Sequence, residues 1–517
     1  MILEDIKQIE YNKINCRGCG GVFSADLVAF DLGKVFKRAL SEMRRDAELE
    51  EGMWEPLIRR DFRFYYTLRD LCQELGYRLD KEGAQKITLR VRDVKKQLEF
   101  LTNGILFQEI QKGNRDTEIY NCLYEAVQPD YGSPDEKMDQ IEMLIHNLAK
   151  CNDEEKILTV KIKVILGMDV NGNEIPMFLK YMAEGRTWKT LTRVCPYCGM
   201  YLDSAVGHRK EIIIGLAGLA RVGKTVFIAS LIHQLKKLTT GDFISIKKSD
   251  SSSLEKFQKD IIDEYEKGES IRKTEVENVE EIEDIYVPVR IGNKEYNFIF
   301  VDMPGEIYSG KSDESLNFIS NKRPILQKAD AIWLFIDPAM INPDYANMHI
   351  QRREDANSQL SSIIKVVGKI YTRKIPAAVI VTQSDQIPAE YGLYRPNTNV
   401  MEQYLLNGAL DFDEMRNFSK ATDGFVDKMS NFQLSIENIF DGFSMFAVAS
   451  YGFDITDRAI LSEKAIRPSM VELPFLWTLA KLGVLKTERV TTSKTKFGKE
   501  KTEVKQMEDL DKLYMHK

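Results

Sequence analysis

Residues 211–235 read EIIIGLAGLARVGKTVFIASLIHQL, and the fold turns on how this stretch divides. EIIIGLA is a short, nearly continuous apolar run, the pattern of a strand buried on both faces. VFIASLIHQL carries its apolar residues on one face at helical spacing. Between them, Gly218, Gly223, Lys224 and Thr225 occupy the four fixed positions of a phosphate-binding loop. The glycines let successive backbone N–H groups converge on phosphate oxygens. The Lys224 ammonium has the reach for the β and γ oxygens, and the Thr225 hydroxyl suits magnesium. Val222 and Val226 complete the lining. A strand before the loop and a helix after it are the context that separates this motif from a chance match. Arg221 is unexpected, a long cation among the residues that wrap the phosphates.

Four further segments follow in order. YNFIFVDMPGE, residues 296–306, is a strand ending in Asp302, three residues before Gly305. A carboxylate there can hold a magnesium shell, and the glycine N–H can meet a γ-phosphate. Just upstream, IYVPVRIGNKEYNFIFVD reads as two strands joined at Gly292–Asn293, a connection too short for anything but an antiparallel hairpin. AIWLFIDP (331–338) is the next buried strand, and AAVIVTQSD (377–385) is another, ending in Thr382, Gln383, Ser384 and Asp385. SMFAVASYG (444–452) is the last.

The hairpin followed by Asp-x-x-Gly resembles the translation-factor and Ras-like (TRAFAC) class of P-loop GTPases; helicases, most ATPases and nucleotide kinases join their strands through helices. The resemblance implies an α/β domain with a mixed, mostly parallel sheet, binding GTP or GDP with Mg2+. In that class, an aspartate at the position of Asp385 accepts hydrogen bonds from the guanine N1–H and N2–H2. Gln383 stands where the family has a lysine, and Ala449 and Ser450 are the nearest match to its base-binding turn. The family also uses a switch threonine, for which Thr274 lies closest to the hairpin. Thr239, Thr240, Ser249, Ser251, Ser252 and Ser253 are the alternatives. Glu306 replaces the glutamine that many Ras-like enzymes use to orient water. A cysteine knuckle before the first strand, and ELPFLWTLAKLG at 472–483, look most like the bacterial double-GTPase group. Arg221 resembles the loop arginine of guanylate-binding proteins and atlastins, which acts in cis once two nucleotide domains meet.

Seven cysteines are present, and four form two Cys-x-x-Cys pairs, each followed by glycine: Cys16 and Cys19, Cys195 and Cys198. Two residues between cysteines let a tight turn aim both thiolates at one ion, so two such turns make a closed structural zinc site. The 175 residues from 20 to 194 between the pairs are far more than a zinc ribbon holds, which implies a ribbon split by an insertion. His208 is then a surface residue, and Cys72, Cys122 and Cys151 are packing residues.

The 517 residues, 43% apolar and 29% charged, suggest an ordinary soluble protein of several domains. A net charge of −7 gives no reason to expect nucleic acid. No run approaches the roughly 18 apolar residues of a membrane span, and MILEDIKQIEYNK lacks a secretory core, so a cytoplasmic protein is expected. Residues 20–156 read mostly as helices, notably 32–45 and 91–111. VKIKVIL then alternates as a strand that turns at Asn171–Asn173. The expected domains are a split zinc ribbon (1–20 and 190–205), a mainly helical inserted domain with a hairpin (21–189), a nucleotide domain (206–485) and a charged tail (486–517). The insertion suits a protein partner, and a GTP-dependent homodimer would place Arg221. Three functions stay open: a GTP-hydrolysing switch, a GTP-dependent interaction module with little turnover, and an ATP-using P-loop protein.

Overall fold

The computed structural model describes residues 10–31, 65–69, 85–90, 157–183, 187, 189–219, 222–238, 243–247, 251–268, 284–302, 305, 316–317, 319–320, 323–338, 353–371, 374–396, 398–406, 408–426, 436, 439–452, 466–494 and 500–506. The helices expected at 32–45 and 91–111 lie outside them, as do Cys72, Cys122, Cys151, Arg221, Thr274 and Glu306. Two compact units divide the chain, Met1–Tyr11 with Phe23–Leu202, and Asn12–Val22 with Asp203–Lys517.

In the first unit the described elements are almost all strands. Ile157–Met168 and Glu174–Ala183 pair as the expected hairpin, flanked by Gln85–Arg90 and Lys189–Leu191 in one four-stranded sheet. Its turn is led by Asp169, whose Oδ1 accepts from the N–H groups of Asn171 (2.9 Å) and Asn173 (2.8 Å). Gly172 supplies the left-handed residue at φ 81°.

The second unit is built on a seven-stranded sheet. Its strands are β1 (Lys210–Gly218), β2 (Ile244–Ile246), β3 (Ile285–Ile291), β4 (Lys294–Val301), β5 (Ala331–Ile336), β6 (Ala377–Val381) and β7 (Phe443–Ala447), in the order β2-β3-β4-β1-β5-β6-β7. β4, β1, β5, β6 and β7 run parallel. β3 is antiparallel to both β2 and β4. Gly292, at φ 57°, makes the two-residue turn between β3 and β4 that the sequence implies. The sheet is therefore mixed and mostly parallel.

Among the described residues, the helices that flank or adjoin it include α1 (Lys224–Lys237), α2 (Ser252–Phe257), α3 (Arg353–Ile370), α4 (Phe412–Val426) and α5 (Leu473–Lys481). α1 buries Phe227, Leu231 and Leu235 at four-residue spacing, together with Ile228 and Ile232. The Phe227 ring meets Trp333 and Phe335 of β5 edge-on, with centroids 5.6 and 5.3 Å away. Burying each such side chain contributes about 1.5–3 kcal/mol. α5 is buried along almost its whole length, and the Trp333 Nε1–H donates to its Thr478 Oγ1 at 2.9 Å. A buried tryptophan N–H thus finds a partner on the covering helix.

The charged C-terminus departs from the expected tail. Lys486–Lys494 and Glu500–Gln506 are antiparallel strands, and the first runs parallel to Ala409–Asp411. The register sets Val490 opposite Val504 and Thr492 opposite Thr502. β-Branched residues at these paired positions favour extended chain, a preference that the surrounding charges masked. Among the described residues no helix is long and apolar enough to cross a membrane.

Candidate nucleotide site and cysteine cluster

β1 delivers the chain to the phosphate loop at the point where the strand order reverses, β4 lying on one side and β5 on the other. In open α/β sheets ligands bind at the carboxyl ends of strands at this switch point. Gly218 packs so closely under β5 that an added Cβ would stand 2.9 Å from the Phe335 carbonyl oxygen and 3.0 Å from its Cβ. Gly223 is left-handed, φ 87°, and caps α1 without a side chain. Lys224 is buried, and its Nζ donates to the carbonyls of Gly218 (3.2 Å) and Leu219 (3.3 Å). Val222 is buried, while Thr225 and Val226 are half-buried at the start of α1. The first turn of α1 holds no acidic residue, so no carboxylate of its own competes for its N-terminal N–H groups. A glycine cradle, a helix N-terminus and a lysine fit a polyphosphate.

Asp302 follows β4 directly and is half-buried, and Gly305 is buried. The Asp302 carbonyl accepts from Nη2 of Arg323 at 3.1 Å. The same Nη2 donates to Oδ1 of Asp284 at 2.5 Å, in an ion pair whose side chains are 7% and 0% exposed. Burial pushes the Asp284 carboxyl up from its ordinary range, against the pull of Arg323 and Arg17. No motif announced this pair, because its members lie 39 positions apart in unremarkable sequence.

β6 and β7 end side by side. Thr382 is buried and donates through Oγ1 to the Ile336 carbonyl (3.3 Å), and Gln383 takes a left-handed conformation at φ 53°, unusual for a residue with a side chain. The Ser384 N–H donates to the Val448 carbonyl at 2.9 Å, tying the Thr382–Asp385 segment to Ala449 and Ser450. Ala449 is buried and pairs with Ser469 in both directions, at 3.0 and 2.8 Å. The Ser450 carbonyl accepts from Tyr265 OH (2.6 Å) and Ser230 Oγ (3.2 Å). Burial pushes the Tyr265 phenol well above its ordinary pKa, so it stays a donor. Sequence reading missed Tyr265 and Ser230 for the same reason as Arg323: a contact 185 positions away leaves no local trace.

Among the alternatives for a switch residue, Ser251, Ser252 and Ser253 are engaged elsewhere. Ser251 Oγ caps α2 by accepting from the Leu254 N–H (3.2 Å), and Asp203 Oδ2 accepts from Ser252 Oγ (3.0 Å) and the Ser253 N–H (2.9 Å). Thr239, Thr240 and Ser249 lie outside the described residues.

The two cysteine turns are built alike. The Gly20 N–H donates to the Cys16 carbonyl (2.9 Å) and the Gly199 N–H to the Cys195 carbonyl (3.0 Å), with both glycines left-handed at φ 64° and 69°. The Cys16 N–H reaches the Gly21 carbonyl and the Cys195 N–H that of Met200, both at 2.9 Å. The Tyr197 N–H approaches the Cys195 sulfur at 3.4 Å, the contact that stabilises a thiolate. All four sulfurs lie within 4.8 Å of one another, with Cys16 and Cys195 buried and Cys19 and Cys198 exposed. Tetrahedral zinc with Zn–S bonds of about 2.3 Å needs sulfurs about 3.8 Å apart, so the cluster fits that ion. His208 is not among the four; it is half-buried, with Nε2 enclosed, rather than on the surface.

Residues 212–431 match the family described as Double-GTPase 2. This segment resembles a double-GTPase domain. Solved structures similar to the chain include a variant of SsGBP (12% identity over 46% of this chain and 50% of that one, TM-score 0.20). Others are the Arl6 BBS3 small GTPase from Trypanosoma brucei with bound GppNp (11%, 53% and 98%, 0.21) and the G domain of the T. maritima FeoB iron transporter (13%, 48% and 93%, 0.20). The chain spans half the length of the first of these. No curated protein matches it. The double-GTPase match takes in Gly218–Thr225, Asp302, Arg323 and Thr382–Asp385, and ends before Ala449 and Ser450.

Proposed function

We propose that this chain is a GTP-binding and GTP-hydrolysing switch whose state is relayed to a protein partner through residues 21–189. The observation that carries the reading is that Gly218, Gly223, Lys224 and Thr225, with Asp302 and Thr382–Asp385, follow the carboxyl ends of β1, β4 and β6 within a segment that matches the double-GTPase family. Lys224 and the α1 N-terminus hold the phosphates. Thr225 and Asp302 would hold magnesium, which would supply positive charge at the phosphates. The Gly305 N–H would meet the γ-phosphate, and Thr274 is the switch threonine that would ligate magnesium when a γ-phosphate is present. Asp385 accepts from guanine N1–H and N2–H2, where adenine would present a lone pair to the carboxylate. Thr382, Gln383, Ala449 and Ser450 frame the base. Arg221 places positive charge where negative charge gathers in the transition state. The four cysteines hold a structural zinc.

Competitive binding of GTP, ATP and XTP to the wild type and to Asp385→Asn tests the base. GTP should win in the wild type, and the variant, whose amide suits xanthine, should move toward XTP. Equal affinity for GTP and ATP in the wild type ends the guanine claim. Glu306 favours a second reading: a glutamate accepts from water but cannot donate to a γ-phosphate. Tight GTP binding without multiple-turnover phosphate release would select that reading, a GTP-dependent interaction module.

A further inference from the structure

The β3–β4 hairpin is closed at one end by Gly292–Asn293 and open at the other, where Ile285 stands opposite Phe300. Asp284 enters β3 at that open end and Asp302 leaves β4 there. Arg323 spans both through a single nitrogen, bonded to the Asp284 carboxylate and to the Asp302 main chain. It is itself held in place. Its N–H donates to the Ile319 carbonyl (2.9 Å), its carbonyl accepts from the Leu326 N–H (3.0 Å), and a 3-10 turn, Pro324–Lys328, begins immediately after it. The first cysteine turn lies against that same point: a Cβ on Gly20 would be 3.0 Å from the Pro324 Cβ.

The pair is poorly arranged for stability alone. Asp284 Oδ2 is buried and accepts no hydrogen bond among the described residues. A buried ion pair is often matched or bettered by apolar side chains of similar volume, so its presence is weak evidence of a stabilising role. What an apolar pair could not do is bond the Asp302 carbonyl. That carbonyl sets the direction in which the chain leaves β4, and so the placement of the Asp302 carboxylate and of Gly305 beyond it.

We propose that Arg323 is a positioning residue for Asp302, locking the open end of the β3–β4 hairpin through Asp284 and fixing the Asp302 main chain. The proposal rests on the reading above, in which Asp302 serves magnesium. Its role is to act through the Asp302 main chain, which its Nη2 holds.

The test measures GTP affinity of the full chain across a magnesium titration, beside the thermal midpoint, for the wild type and two variants. Arg323→Lys keeps the charge and loses the planar fork. Asp284→Leu combined with Arg323→Met replaces the ion pair with apolar side chains. In both variants the magnesium concentration at half-effect should rise about tenfold or more. GTP affinity without magnesium and the preference for GTP over ATP should stay at wild-type values. The double variant should keep a thermal midpoint close to the wild type while its magnesium response stays shifted, which a merely structural role does not allow. A wild-type magnesium response in either folded variant overturns the proposal. Failure of the wild type to bind GTP at any magnesium concentration overturns the GTPase reading instead.

Discussion

At the scale of single residues, the phosphate loop leaves little freedom. Gly218 has no room for a Cβ beneath Phe335, and Gly223 has a φ that side chains resist, so both follow from backbone geometry before any ligand is considered. Arg221 is different, since the motif does not require it. Its sequence position puts a guanidinium two residues before Gly223, in a chain that lacks the usual water-orienting glutamine. Phosphoryl transfer is catalysed chiefly by positioned positive charge, and arginines in this role are worth about 10³–10⁵ in rate. Arg221→Ala should therefore bind GTP almost as the wild type does and hydrolyse it at least about 10³-fold more slowly. Wild-type turnover per molecule should rise with protein concentration if a second copy orients the arginine. Identical hydrolysis rates for variant and wild type at every concentration would make Arg221 a structural residue.

At the scale of elements, α5 carries a titration that its position explains. Glu472 stands at its N-cap, and burial pushes the carboxyl up to about 7, against the opposing pull of Lys237. An unfolded carboxyl titrates near about 4.3. Because the folded value is the higher one, the folded state holds the proton longer, and stability falls as pH rises through the window between the two. Above pH 7 the folded state carries the penalty of holding the charged carboxylate in this partly buried position, so that contribution to stability is lost there. Glu472→Gln stays neutral throughout. Its thermal midpoint should exceed that of the wild type at pH 8 and approach it near pH 5, as followed by circular dichroism. A midpoint difference that does not change with pH would mean that Glu472 is solvated. The elements themselves were legible to unequal degrees. β1, the β3–β4 hairpin and β5 to β7 announce themselves as apolar runs ended by glycine or polar punctuation, which are local signals. The strands at 486–494 and 500–506 did not, because their charges read as solvated chain and their pairing with Ala409–Asp411 is non-local. The Asp284–Arg323 and Tyr265–Ser450 contacts were invisible for the same physical reason: tertiary partners impose no period on the sequence.

At the scale of the whole molecule, the cysteines decide what the chain must do to fold. Residues 20–194 separate the two cysteine turns, and bringing the turns together closes a long loop. Loop-closure entropy grows only slowly with length, each doubling costing about 0.6 kcal/mol, so a long insertion is tolerable if something holds its ends. The four thiols within 4.8 Å supply the ligands for such a clip. Four thiolates left together without a cation would repel one another, and Cys16 and Cys195 would do so while buried. No such site exists in the unfolded chain, so a zinc held there would add its binding free energy to that of folding. Elemental analysis should then find about one zinc per chain, released together with protons as the thiols reprotonate under a strong chelator. The chelated protein should melt at a lower temperature, and added zinc should restore the midpoint. Cys16→Ser or Cys198→Ser should lower soluble yield even in the presence of zinc, since three thiolates leave the tetrahedral site open. A chelated, metal-free sample that melts with the wild-type midpoint would show that the sulfurs pack together without an ion, and the zinc clip would have to be abandoned.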